Sequence, residues 1–164
     1  MAARSAGLLL HRMAPGGVVE VLIAHPGGPF WARRDAGAWS IPKGEYEPEE
    51  DPLEAAYREF REEVGLTVPV GLPVSLGEVK QPGGKLVSVW ALASDLDVGR
   101  AVSNTFEVEW PKGSGRLREF PEVDRVEWCS VSLARTRLLK GHVPFLDRLM
   151  AAISVESGPF SEGP

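Results

Sequence analysis

Three glutamates, Glu59, Glu62 and Glu63, stand at i, i+3 and i+4 in the stretch GEYEPEEDPLEAAYREFREEVGL, residues 44–66. On a helix that spacing puts three carboxylates on one face. Like charges so placed destabilise a helix, and bound cations relieve the repulsion. All-oxygen ligands suit Mg2+ or Mn2+ and not zinc. A solvated acidic face is the ordinary account of a Glu-rich helix. Here the acids keep set distances from Gly44, Glu50 and Arg58, which favours a site over a solvated face. The helix has its own start and stop. Asp51 caps, Pro52 suits the first helical position, Glu54 sits in the first turn, and Gly65 ends it. Leu53, Ala56, Phe60 and Val64 recur at three- and four-residue steps and form the buried stripe on another face.

Gly44, Glu50, Arg58-Glu59, Phe60, Glu62-Glu63, Gly65 and Leu66 match the Nudix box at each defining position. The chain thus resembles the Nudix hydrolases, and the preceding Trp39-Ser40-Ile41-Pro42-Lys43-Gly44 resembles their approach to the box. A looser likeness in strand order and Trp spacing extends over residues 5–150. The resemblance implies divalent-metal-dependent hydrolysis in which water attacks a phosphorus of a diphosphate linkage. It implies Glu62 and Glu63 as metal ligands, with Glu59 a ligand, the base that deprotonates water, or both. The main-chain carbonyl of Lys43 is a further implied ligand, and Arg58 pairs with Glu50 or a neighbouring carboxylate. Gly44 and Gly65 would permit backbone turns. Family members often add an acid six residues before a strand Trp. Glu122 stands six before Trp128, with Glu119 the neighbouring alternative.

The elements that must position these groups follow from pattern. Residues 5–13 and 18–24 read as a hairpin, and residues 39–44 as a short strand entering the box. After the helix, 68–80 and 85–93 read as strands joined by the turn Gln81-Pro82-Gly83-Gly84. Residues 104–110 read as another strand, 111–116 as a flexible basic loop, and 125–131 as a late strand. Helices are expected over 132–140 and 144–153. Strands in antiparallel-looking pairs, one long helix after the third and helices at the end predict an α/β fold. Its form is an α/β/α sandwich with a mixed sheet and the acids on a loop-helix-loop. That is also the fold the resemblance implies. Residues 1–153 read as a single domain, followed by a loosely held tail over 154–164.

Composition bounds the partners. The chain has 164 residues, formal net charge −5 and one cysteine, Cys129. The charge argues against duplex nucleic acid and anionic membranes, yet not against a phosphorylated small molecule. A lone cysteine in a strand pattern fits a structural role and the cytoplasm. His11, His25 and His142 form no metal or triad pattern. The loop 30–37 carries Phe30, Trp31, Arg33 and Arg34. The rings could stack on a base and the arginines meet phosphate, or the rings could cover the core edge.

The box assigns a reaction and leaves the attached group open. Pro42-Lys43-Gly44 is similar to Nudix hydrolases of dinucleoside polyphosphates, and the Lys43 ammonium could reach a phosphate. Arg33, Arg34, Lys112 and Arg116 add positive charge. These favour dinucleoside polyphosphates or nucleoside triphosphates as substrates of a MutT-like pyrophosphohydrolase. A tyrosine common in that group past the box is absent. Pro82, near where ADP-ribose hydrolases tend to carry a proline, keeps ADP-ribose or a nucleotide sugar as the alternative. A Nudix-fold regulator that binds a nucleotide without cleaving it is a second alternative, against which all the box acids are present.

Overall fold

The computed structural model describes residues 3–156. Its centre is β1 (Arg4–Ala14), whose run Leu8-Leu9-Leu10 is buried on both faces. Alternation along the strand sends Leu8 and Leu10 to one side of the sheet and Leu9 to the other. β1 pairs antiparallel with β2 (Val18–Pro26) and β3 (Lys43–Glu45), at its C- and N-terminal halves respectively. It pairs parallel with β5 (Leu86–Ala93), which in turn pairs antiparallel with β4 (Val74–Lys80). β8 (Val123–Ser130) lies against β2. The sheet order is β4-β5-β1-β2-β8 with β3 beside β1, so the six-stranded sheet is mixed.

Each face is covered by helix. Helix α1 (Pro52–Val64) packs Ala55, Ala56, Phe60 and Val64 on Ala6, Leu8, Leu10 and Leu22. Burying a ring such as Phe60 contributes about 1.5–3 kcal/mol. α2 (Val131–Arg137) and α3 (Val143–Glu156) cover the other face through Ala134, Phe145, Leu146 and Leu149, against Leu9, Ile23, Trp39 and Ile41. This is the α/β/α sandwich expected. Among the described residues no helix is long and apolar enough to cross a membrane.

The ends of α1 are set locally. The Asp51 carboxylate accepts from the Glu54 N–H at 3.1 Å, and Pro52 begins the helix. Gly65 closes it in the left-handed region at φ 74°. A Cβ there would lie 1.8 Å from the Val102 carbonyl oxygen, so Gly65 answers to both conformation and space. Leu53 is half-buried, and Ala55 takes its place in the stripe.

Several boundaries differ from expectation. Residues 68–73 are not strand, because Pro69 and Pro73 lack the N–H a ladder needs and Gly71 lies between them. Trp39 and Ser40 form only isolated bridges, and the strand entering the box is Lys43–Glu45. α2 stops at Arg137 and a short 3-10 turn, Lys140–His142, precedes α3. α3 continues to Glu156, past the expected end at 153, while the remainder of the expected tail, 157–164, lies outside the described residues. The largest difference is between β5 and β8. β6 (Thr105–Glu109) pairs with β7 (Leu117–Pro121), a segment to which the sequence pattern assigns no element, in a separate two-stranded sheet. The alternation in Leu117–Pro121 is too short to register as a strand by pattern.

Candidate active site

The acidic face of α1 is organised by Arg58. Its Nε and Nη2 donate to the two oxygens of Glu50 at 2.8 and 3.0 Å, a bidentate pair. Its Nη1 donates to Glu59 at 2.7 Å and stands 3.5 Å from Glu62. One guanidinium therefore ties the loop acid to two helix acids. These bonds raise the Arg58 pKa and hold the Glu50 carboxyl below its ordinary range.

The two inner acids are half-buried. Glu59 presses against the Gly44 backbone so closely that a Cβ on Gly44 would lie 2.0 Å from its oxygen. Gly44 has no positive φ. It is glycine for space, not for the turn the sequence suggested. Glu63 accepts from the Lys43 N–H at 3.2 Å. Burial pushes the Glu59 carboxyl above its usual range, against the lowering effect of Arg58, and the charges of Glu62 and Glu122 push the same way. Burial likewise pushes Glu63 up to about 8, with Glu59 and Glu122 adding to it and Lys43 opposing. The Lys43 ammonium is lowered chiefly by burial, beside the carboxylates of Glu63, Glu59 and Glu45.

Glu122 thus acts on the same electrostatic cluster although it lies far along the chain, immediately before β8. Glu119, its sequence alternative, sits exposed on β7. A void of about 20 Å3 beside Glu63, also lined by Ser103 and Asp124, has room for a single water-sized particle. Among the described residues no three His, Cys, Asp or Glu side chains converge closely enough to hold an ion as they lie. Arg58 and the Lys43 N–H occupy their oxygens instead. The donor set nevertheless fits a hard divalent cation. It is all oxygen, shares one face, and burial and mutual repulsion disfavour its charged forms. Outside Arg58 a cleft of about 660 Å3 is lined by Arg4, Tyr46, Glu47, Glu50 and Pro52.

The loop expected to meet substrate divides. Phe30 is 57% exposed, whereas Trp31 packs against the core, as the covering role anticipates. Arg33 and Arg34 are exposed, with the Arg34 guanidinium 5.5 Å from the Trp31 ring. The loop is tied down by a residue that sequence reasoning gave no such role. His25 is fully buried, meets Asp124 through Nδ1 at 2.8 Å, and donates from Nε2 to the Arg34 carbonyl at 2.6 Å. Only the fold brings His25 to Asp124, so no local signal marked it. Cys129 is buried, and its thiol is pushed up to about 11 by burial, which makes it inert as a nucleophile.

Comparison with known proteins identifies the domain. The family model of the NUDIX domain matches residues 3–151. An RNA pyrophosphohydrolase from Halorhodospira halophila is 55% identical over 51 residues, which are 29% of this chain and 28% of that protein. One from Cellvibrio japonicus is 48% identical over 48 residues, again 28% of each. The match thus spans under a third of these curated relatives. Among solved structures, a C. elegans Ap4A hydrolase superposes with TM-score 0.62 at 21% identity, covering 92% of this chain and 98% of that one. The NUDIX domain of Shewanella oneidensis NrtR, complexed with ADP ribose, superposes with TM-score 0.59 at 12% identity, covering 93% and 90%. At these identities the likeness is one of fold.

Proposed function

The chain belongs to the Nudix family, its domain model covering residues 3–151, and from that premise we propose a divalent-metal-dependent pyrophosphohydrolase of nucleotides. Its favoured substrates are dinucleoside polyphosphates or nucleoside triphosphates. The observation that carries this reading is the acidic face of α1, on which Arg58 holds Glu59 and Glu62 and the Lys43 N–H holds Glu63, with the charge of Glu122 acting on Glu59 and Glu63. Glu59, Glu62, Glu63, Glu122 and the Lys43 carbonyl would hold Mg2+ or Mn2+. When bound, the metal supplies charge neutralisation on the diphosphate and a lowered pKa for the attacking water.

The chain's own groups do the rest. Glu59, half-buried and with its pKa raised chiefly by that burial, would take the proton of the water. Arg58 sets the orientation of Glu59 and is itself fixed by the bidentate bond to Glu50. Orienting the base in advance lowers the entropic part of the barrier. Phe30, Arg33 and Arg34, exposed on the loop after β2, would meet the substrate, with Trp31 supporting them from the core edge and Lys43 adding positive charge beside the carboxylates. The lone buried Cys129 suits a cytoplasmic enzyme.

A panel of ATP, diadenosine tetraphosphate, ADP-ribose and 5′-triphosphorylated RNA, assayed with Mg2+ or Mn2+ and with chelator, tests the reading. Hydrolysis in ¹⁸O-labelled water should place the label on phosphate. Full turnover in excess chelator, or label on carbon, overturns the mechanism. A preference for ADP-ribose of tenfold or more in kcat/KM, about 1.4 kcal/mol, overturns the substrate and leaves the mechanism standing.

A further inference from the structure

The β6–β7 hairpin has two chemically different faces. Its register pairs Phe106 with Phe120 and Val108 with Arg118, and side chains alternate along a strand. Phe106, Val108, Arg118 and Phe120 therefore share one face, and the same alternation continues to Trp110. Glu107, Glu109 and Glu119 share the other. The acids are fully exposed, while Phe106, Val108, Trp110 and Phe120 are half-buried. The aromatic face leans on the loop after β2. A Cβ on Gly28 would lie 2.9 Å from the Phe106 ring. Trp110 meets Phe30 edge-on, with ring centroids 5.6 Å apart and planes at 81°.

Arg118 of the hairpin and Arg34 of the loop after β2 stand against rings and not against acids. The Arg118 guanidinium lies 5.4 Å from the Phe120 ring. Among the described residues neither it nor Arg33, Arg34 or Arg116 pairs with a carboxylate. By contrast Arg4, Arg12, Arg58, Arg135 and Arg137 all do. The hairpin also starts at the acidic site. The Asn104 N–H donates to the Glu62 carbonyl at 2.8 Å, and the Glu122 N–H donates to the Asn104 carbonyl at 2.8 Å. From Thr105 to Trp110 is five residues, about 17 Å at roughly 3.4 Å each.

Aromatic rings interleaved with free guanidinium groups bind bases by stacking and phosphates by charge. We infer that this face of the hairpin, with Phe30, holds the nucleoside remote from the cleaved anhydride, the second nucleoside of a dinucleoside polyphosphate. Trp110 and Phe30 take its base, and Arg116 and Arg118 take the outer phosphates. The assignment rests on the substrate reading above. A nucleoside next to the cleaved phosphates stays beside the acids, so a group this far along the hairpin belongs to the far end of a longer chain. A long nucleic acid fits less well, because the basic strip is narrow and the outer face of the hairpin, like the chain at net charge −5, is acidic.

The test compares kcat/KM for diadenosine tetraphosphate and for ATP in the wild type, Trp110→Ala and Trp110→Phe. Trp110→Ala should lower the ratio of the two about tenfold, through KM for the dinucleotide, the scale expected of one lost stacking contact. Trp110→Phe should recover most of it. An equal loss on both substrates, or none, overturns the hairpin assignment. So does a Trp110→Ala loss confined to 5′-triphosphorylated RNA, which would make the strip an RNA track. A wild type that cleaves only ADP-ribose defeats the underlying substrate reading instead, and the two failures are distinguished by the wild-type panel alone.

Discussion

Helix α1 and the β6–β7 hairpin meet at Glu62 and Asn104, yet they are built on opposite principles. α1 crowds acids onto one face and restrains them, with Arg58 across Glu50, Glu59 and Glu62, the Lys43 N–H on Glu63, and a packed core behind. Among the described residues Arg116 and Arg118 of the hairpin pair with no carboxylate, and the hairpin packs against the loop after β2 at Gly28 and Phe30. A two-stranded hairpin alone is marginally stable. On the function proposed above, the contrast would separate rigid chemistry from compliant recognition: groups that hold a reacting geometry on a helix locked by the core, and groups that receive a ligand on the less supported element.

Breaking the rigid side should have the largest effect. Glu59→Gln should lower kcat about 10²–10⁴-fold, the range for loss of a positioned base, with the fold intact by circular dichroism. Near-normal kcat at saturating metal removes Glu59 from the site. Next comes Gly44→Ala, whose Cβ would collide with the Glu59 carboxylate. Misplacing that group by about 1 Å should cost up to roughly a hundredfold in kcat. If Gly44→Ala turns over as fast as wild type, Glu59 is not held as tightly as the comparison requires.

On the compliant side, Arg118→Gln should raise KM for a dinucleoside polyphosphate only about two- to fivefold, as exposed charge contacts do. The effect should shrink with added salt and leave kcat within twofold. A large, salt-independent fall in kcat would mean that the hairpin belongs to the rigid site. The smallest effect is on stability. The folded Glu63 carboxyl is pushed to about 8 from 4.5, so between those pH values the folded state holds a proton the unfolded state has lost. In chelator this carboxyl should therefore contribute a loss of stability as pH rises through the window, opposed at its acid end by His142, whose folded pKa is lowered by burial to about 3. Glu63→Gln should make the stability fall less, or rise more, between pH 5 and pH 8 than in the wild type, and raise Tm at pH 8 by a few degrees, at about 2–4 °C per kcal/mol. Calorimetry at pH 5 and pH 8 reads it, and parallel slopes in the two proteins would refute the buried-acid account.

Sequence by itself determined what local physics controls. Asp51, Pro52 and Gly65 delimit α1 within its own span, and the three- and four-residue steps separate its acidic face from its buried one. The alternation of Val87, Val89 and Ala91 with Ser88 and Trp90 marks one buried face of β5 from the chain alone. Only the tertiary structure decided the rest, because it turns on contacts between residues distant in the chain. It brought Glu122 into the field of Glu59 and Glu63 and left Glu119 outside. It gave Gly44 a steric reason in place of a conformational one. It joined His25 to Asp124 and to the Arg34 carbonyl. It paired Leu117–Pro121 with Thr105–Glu109 and so set Trp110 against Phe30. Local propensity carries no term for such encounters; they are chosen when the sheet assembles and its two faces are buried.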